Sequence, residues 1–280
     1  MNNLFLLITD WRIETPKPYG AFHLVSLAIV IALSIVMGMY GAKLKNKPDK
    51  CIKFTRIFIL CYGIFLVLIE TYKQLFFTLT VGHYQWFVFP YQFCSVSMYA
   101  TIISFFIKNY KVRLAFYKFI AIFGFVAGAS VMFYPGDVFT TALTLCIHTM
   151  IWHGSQVVIG VFLITSLDVG KSYVKDVLHG AIVFCGFLMI ALLLDVIMYN
   201  TLFCEGAKYA GDTCNLFYIS PYYPCTLPIL SVIKEKVPYI IFLFCYVLAF
   251  TIGTSFIWGI TYLIRKLLSR KHNEKLANWC

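Results

Sequence analysis

Charge is scarce in this sequence, and acidic charge is scarcest: 12 Asp and Glu stand against 23 Lys and Arg in 280 residues. Only 12% of positions are charged while 61% are hydrophobic, against roughly 25% and 45–50% in a soluble domain. A soluble fold of this length has no core large enough to hide so much apolar surface. A cleavable leader is also missing from the expectation. The first apolar run, Leu4–Ile8, is shorter than a signal-peptide core and follows no basic stretch. The first true span is therefore expected to act as its own insertion signal. No repeat of fixed period and no low-complexity tract is present, so residues 1–280 read as one domain.

What is present is a set of long apolar runs. A span needs about 20 mostly apolar residues to cross ~30 Å of hydrocarbon. Seven stretches qualify: Gly20–Tyr40, Ile57–Leu79, Phe87–Ile107, Ala115–Phe133, Thr140–Thr165, Val177–Tyr199 and Tyr239–Ile264. Backbone groups in lipid must be satisfied internally, so each reads as a helix. The fold class is thus all-α, a polytopic bundle of seven transmembrane helices in the cell membrane.

The net charge of +11 raises the idea of nucleic acid, which the placement of the charges excludes. They sit in short loops between apolar runs, the pattern of membrane topogenesis. One face collects Lys43–Arg56, Lys108–Arg113, Lys171 with Lys175, and the tail at 265–280. The other has only Arg12, Lys17, Lys208, Lys234 and Lys236. The positive-inside rule makes the richer face cytoplasmic. An odd number of spans then puts the amino terminus outside and the carboxyl terminus in the cytoplasm. The longest loop, 201–238, falls outside, where oxidising conditions permit a Cys204–Cys214 disulfide across CEGAKYAGDTC. Two reduced thiols are the alternative.

Ionisable groups inside spans are costly and each is a candidate functional group. Here they are Glu70 and Lys73, Lys118, His148 and His153, and Asp195, with His23 at the mouth of the first span and Cys94 in a polar setting, FPYQFCS. On this topology all but Lys118 lie in the outer half or at the midplane, while Lys118 can snorkel to the inner headgroups. Glu70 and Lys73 are three apart on one helical face, and either neutralise each other or line a pocket. His148 and His153 are about 140° out of phase on a helix, so they do not share one small site, and a two-histidine metal site is disfavoured. No metal and no cofactor is expected. A free cysteine in an apolar helix often only packs. Two features single out Cys94: Pro90, which frees the backbone of the first turn, and histidines at comparable depth that can take the thiol proton.

The order and spacing of several motifs carry a resemblance. They are AFHLVSL at the first span, LIETYKQL in the second, the Pro-x-x-x-Cys of PYQFCSVS in the third and IWHGSQVV in the fifth. NLFYISPY follows, and Pro238 leads into the last span. Over nearly its whole length the chain resembles the YwaF-like family of multipass membrane proteins. A eukaryotic relative is described as a cysteine-dependent acyltransferase that moves a fatty acyl chain between phospholipids. The resemblance maps its nucleophile onto Cys94 and its histidine onto His153, and marks Asn215 as a residue of the site. Many relatives have His where this chain has Gln92. Glutamine can donate to an oxyanion but cannot exchange protons.

The expected function is acyl transfer or ester hydrolysis on a phospholipid or lysophospholipid. Cys94 is the expected nucleophile and His153 the base, with His148 as the second candidate. Gln92 is an oxyanion donor, while Glu70, Lys73, Asp195, His23 and Asn215 order the site. Two other classes gather polar groups in the same way: a solute transporter or channel, and a non-catalytic ligand-binding membrane protein. An enzyme needs the Cys94 thiolate, whereas the other two tolerate its loss.

Overall fold

The computed structural model describes residues 4–167 and 172–277, with side chains as far as residue 263. Among these residues the chain is helical, with one antiparallel bridge between Arg12 and Ala142. A short α1 (Leu4–Thr9) precedes α2 (Ala21–Lys45), α3 (Pro48–Val81) and α4 (Val96–Phe106). Then come α5 (Tyr110–Phe119), a π-turn at Ile120–Gly124, and α6 (Phe125–Phe133). They are followed by α7 (Leu143–Ser166), α8 (Tyr173–Met198), α9 (Leu230–Lys236) and α10 (Tyr239–Ala277). Among the described residues, six helical runs are long and apolar enough to cross a membrane, with α5 and α6 counting as one run, Tyr110–Phe133.

Local chemistry sets the helix ends. Pro48 stands in the first turn of α3, where a missing N–H costs nothing. The same helix stops at Gly82, whose φ of 86° suits a residue without a Cβ. At the centre of the bundle stands α7, packed against α2, α3, α6 and the π-turn. Its contact with α6 is backbone-close: a Cβ at Gly128 would collide with the His153 carbonyl oxygen, the kind of approach that small residues permit between membrane helices.

The third expected span, Phe87–Ile107, is the one that differs. Only Val96–Phe106 is an α-helix, 11 residues long. The physical cause is Pro90, which has no N–H to give and holds Phe89 extended (φ −49°, ψ 131°). Irregular backbone at membrane depth survives only where its polar groups find partners. Two glutamines supply them. Gln74 Nε2 on α3 donates to the Val88 carbonyl at 2.7 Å, and Gln156 Nε2 on α7 donates to the Cys94 carbonyl at 2.6 Å.

The 201–238 segment is more than a surface loop. Residues 215–219 insert into the bundle, where Leu216, Phe217 and Ile219 are completely or almost completely buried. Phe217 and Tyr218 both take left-handed backbone (φ 54° and 58°), a strained choice for aromatic residues. Surrounding side chains hold it. Asp195 Oδ1 accepts from Leu216 N at 2.9 Å, and the Tyr246 and Tyr239 hydroxyls donate to the Phe217 and Ile219 carbonyls.

Two expectations need correction. The Cys204–Cys214 bridge is not formed: both are free thiols. Cys204 Sγ points back to the Asn200 carbonyl, while Cys214 is buried. Burial pushes the Cys214 thiol up to about 12, and a protonated thiol is a poor partner for disulfide exchange. Lys118 does not snorkel. It is buried, with Nζ 2.8 Å from Asp176 Oδ1 and 2.9 Å from His179 Nδ1. Of the basic residues used for orientation, Lys171 and the side chains of the tail lie outside the described residues.

Candidate active site

Cys94 lies half-buried in the turn that opens α4, immediately after the irregular stretch. Its carbonyl is fixed by Gln156, three residues after His153 on α7. Three residues of helix turn through 300°, so Gln156 and His153 share one face about 4.5 Å apart along the axis. The glutamine therefore brings the cysteine turn to the His153 side of α7. His153 Nδ1 is 2.9 Å from the Thr149 carbonyl. A carbonyl can only accept, so Nδ1 carries the proton and Nε2 is the basic nitrogen of the neutral ring. This is the orientation a general base requires, with a third group fixing its tautomer.

Lys73 unites the rest. Its charge acts on Cys94, His148 and His153 alike, and that of Glu70 acts on Cys94. Lys73 Nζ is 2.8 Å from Glu70 Oε1, which also accepts from Gln74 Nε2 at 2.6 Å. Of the two readings of this pair, mutual neutralisation is the one the structure shows: it is an ion pair. His148 turns toward α3, stacking on Trp152 and lying 6.2 Å from the Tyr72 ring. No hydrogen bond joins the Cys94 thiol to either imidazole in this structure. Among the described residues, no group of three or more His, Cys, Asp or Glu is placed to hold a metal ion.

The remaining candidates divide. Gln92, Asp195 and Asn215 meet at the inserted segment rather than at the thiol. Gln92 Nε2 donates to the Asn215 carbonyl at 2.9 Å, and its Oε1 accepts from Phe217 N at 2.8 Å. Asn215 Oδ1 accepts from Ser220 N, and its Nδ2 donates to the Pro224 carbonyl. Gln92 is thus first a clamp on the loop backbone, which sets Tyr218 close enough to Cys94 for the two to interact electrostatically. His23 stands apart, fully buried between Tyr19 N and the Met132 carbonyl, where it ties α2 to α6.

Replacing Gln92 by Ala is expected to strip Asn215 O and Phe217 N of their partners at about 1–3 kcal/mol each. Thermal unfolding in detergent should show the loss, and limited proteolysis should cut first within residues 204–225. An unchanged melting point would show that the clamp carries no load.

Reasoning from sequence missed Gln74, Gln156 and Tyr218. A signal for the glutamines existed: a carboxamide in an apolar helix needs a partner, and irregular backbone nearby supplies one. Tyr218 gave none, because long-range bonds place it.

An apolar groove of about 730 Å³ lies between α2, α3 and α7, on the face of α7 turned away from His153 and Gln156. Its wall includes Gly154 and Ser155, the two residues that follow His153, together with Tyr62. Tyr62 Oη and Ser155 Oγ are 3.1 Å apart.

No curated protein and no solved structure matches the chain. A family model does, over residues 18–262, which takes in the irregular third span, the α7 histidines and the inserted loop. The expectation of a multipass membrane family holds at that level, and the chain belongs to the TMEM164 family.

Proposed function

We propose that this membrane protein transfers, or hydrolyses, fatty acyl esters of phospholipids through a Cys94 thioester. The observation that carries the reading is the Gln156 bridge. It holds the cysteine turn beside a histidine whose Nδ1 is already engaged by the Thr149 carbonyl. In the first step His153 Nε2 takes the thiol proton and the thiolate attacks the ester carbonyl. The ester C–O bond breaks, and the proton passes from the imidazole to the departing glycerol oxygen. In the second step His153 deprotonates a lysophospholipid hydroxyl or water, which attacks the thioester and releases the thiol. For this the thiol and imidazole must close to about 3–4 Å. The Glu70–Lys73 pair offers charge to a polar headgroup. The test is to reconstitute the protein in vesicles with a phospholipid labelled in one acyl chain and a lysophospholipid. Labelled product should form, with a thioester at Cys94 detected by peptide mass.

The interrupted third span also suits a transporter, which places ion sites at broken helices. Against this, the Val88 and Cys94 carbonyls are bonded to glutamines rather than left facing a cavity.

In the proposed topology, residues 86–106 complete a seventh crossing, part irregular and part helical. The amino terminus then lies outside the cell membrane and the 201–238 loop faces outward. Reporter fusions at Lys47 and Lys111 are expected to read cytoplasmic and one at Asp212 external. A cytoplasmic signal at Asp212 would reverse the orientation and move the site to the inner leaflet.

A further inference from the structure

A second groove, of about 580 Å³, runs between α4, α5 and α8. It is far from Cys94 in kind: one end is basic and the rest is apolar. Lys111, second residue of α5, and His179, in the second turn of α8, line it beside Phe116, Ile182 and Ile190. Both helices start from the same end of the bundle, so the two basic residues lie toward that end, His179 about 7–8 Å farther along its helix than Lys111. From His179 to Ile190 is about 16 Å along α8 at 1.5 Å per residue. That is roughly half of a ~30 Å hydrocarbon core, or one leaflet.

The electrostatics of the basic end are not self-neutralising. Asp176, the only carboxylate in the first half of α8, is bound by Lys118 Nζ at 2.8 Å. Lys118 is also 2.9 Å from His179 Nδ1. An ammonium can only donate, so Nδ1 accepts and the His179 Nε2–H is a donor. Lys175 adds its charge, which acts on His179. Lys111 and His179 are themselves exposed. The arrangement is a cationic, hydrogen-bond-donating rim above a leaflet-deep apolar slot.

We propose that this groove is a binding site for an anionic phospholipid of the leaflet at the basic end. Its phosphate meets Lys111 and His179, and one acyl chain fills the slot down to Ile190. A zwitterionic lipid carries its own cation and gains less from this rim, so charge selects the occupant. The site is independent of the Cys94 chemistry.

The experiment uses the full chain purified in detergent and mixed with equal amounts of phosphatidylglycerol and phosphatidylcholine. Retained lipid is read by native mass spectrometry and by the shift in melting temperature. Phosphatidylglycerol is expected to be retained about tenfold over phosphatidylcholine, a preference of ~1.4 kcal/mol. Lys111→Glu should remove the preference. Gly186→Leu should remove binding of either lipid at this site by filling the slot. A Cβ at Gly186 meets nothing within 4 Å, so this variant should keep the lipid-free melting temperature. Equal retention of the two lipids, or a preference that survives both substitutions, would overturn the proposal. So would displacement of the lipid by inorganic phosphate at equal concentration, since that would mark a soluble-anion site.

Discussion

Cys94→Ala is expected to reduce acyl transfer to the rate of protein-free vesicles, with no thioester detectable by intact mass. Nothing else in the cysteine turn can form the covalent intermediate: Ser95 follows it, but a hydroxyl needs far stronger activation than a thiol. Folding should survive, because the turn is held by its backbone through the Gln156–Cys94 carbonyl bond and not by the thiol. His153→Ala should leave the thiol in place and lower the rate by about 10²–10⁴, the usual contribution of a general base. His148→Ala should act more weakly, since that ring is turned toward Tyr72 and Trp152. Transfer at the wild-type rate by Cys94→Ala protein would exclude the thioester route and leave transport or ligand binding as the function.

The largest loss of stability is expected at the opposite end of the bundle, from Asp176→Ala. The Lys118 ammonium and the Asp176 carboxylate are both almost fully buried and 2.8 Å apart. Removing the carboxylate leaves a buried cation facing His179, and breaking such a pair costs about 3–5 kcal/mol. Replacing both partners by apolar residues of similar size, Lys118→Met with Asp176→Leu, should recover most of that, because the desolvation cost of both charges disappears together. Thermal unfolding in detergent checks both variants. A double variant no more stable than the single one would show that the pair is needed in itself, and not only as mutual neutralisation.

Hydropathy made most of the bundle legible. The expected Gly20–Tyr40 and Thr140–Thr165 spans correspond closely to α2 and α7. The second span, expected at Ile57–Leu79, begins a full nine residues earlier at Pro48. Its first turns are basic and amphipathic, and an apolar window passes over them. The third span was misjudged for a different reason. A hydropathy sum counts side chains and is blind to whether each N–H and C=O has a partner. Pro90 was the visible warning, and Gln74 and Gln156 were its unread complement. The inserted segment could not be found from its own residues at all. NLFYIS reads as an interfacial aromatic stretch, and it is Asp195, Gln92, Tyr239 and Tyr246, which lie 21, 125, 20 and 29 positions from their backbone partners, that draw it into the core. In the candidate site the residue types were readable, while their pairing depended on carboxamides that carry no charge to advertise them.

The inserted segment has a consequence for how the protein is made. Its backbone is fastened from both directions along the chain, by Gln92 and Asp195 from before it and by Tyr239 and Tyr246 from after it. The fastening cannot be completed until α10 has left the ribosome and entered the membrane. During most of synthesis the cysteine turn is therefore uncovered, with Tyr218 not yet beside it, and the site closes only as one of the last events of biogenesis.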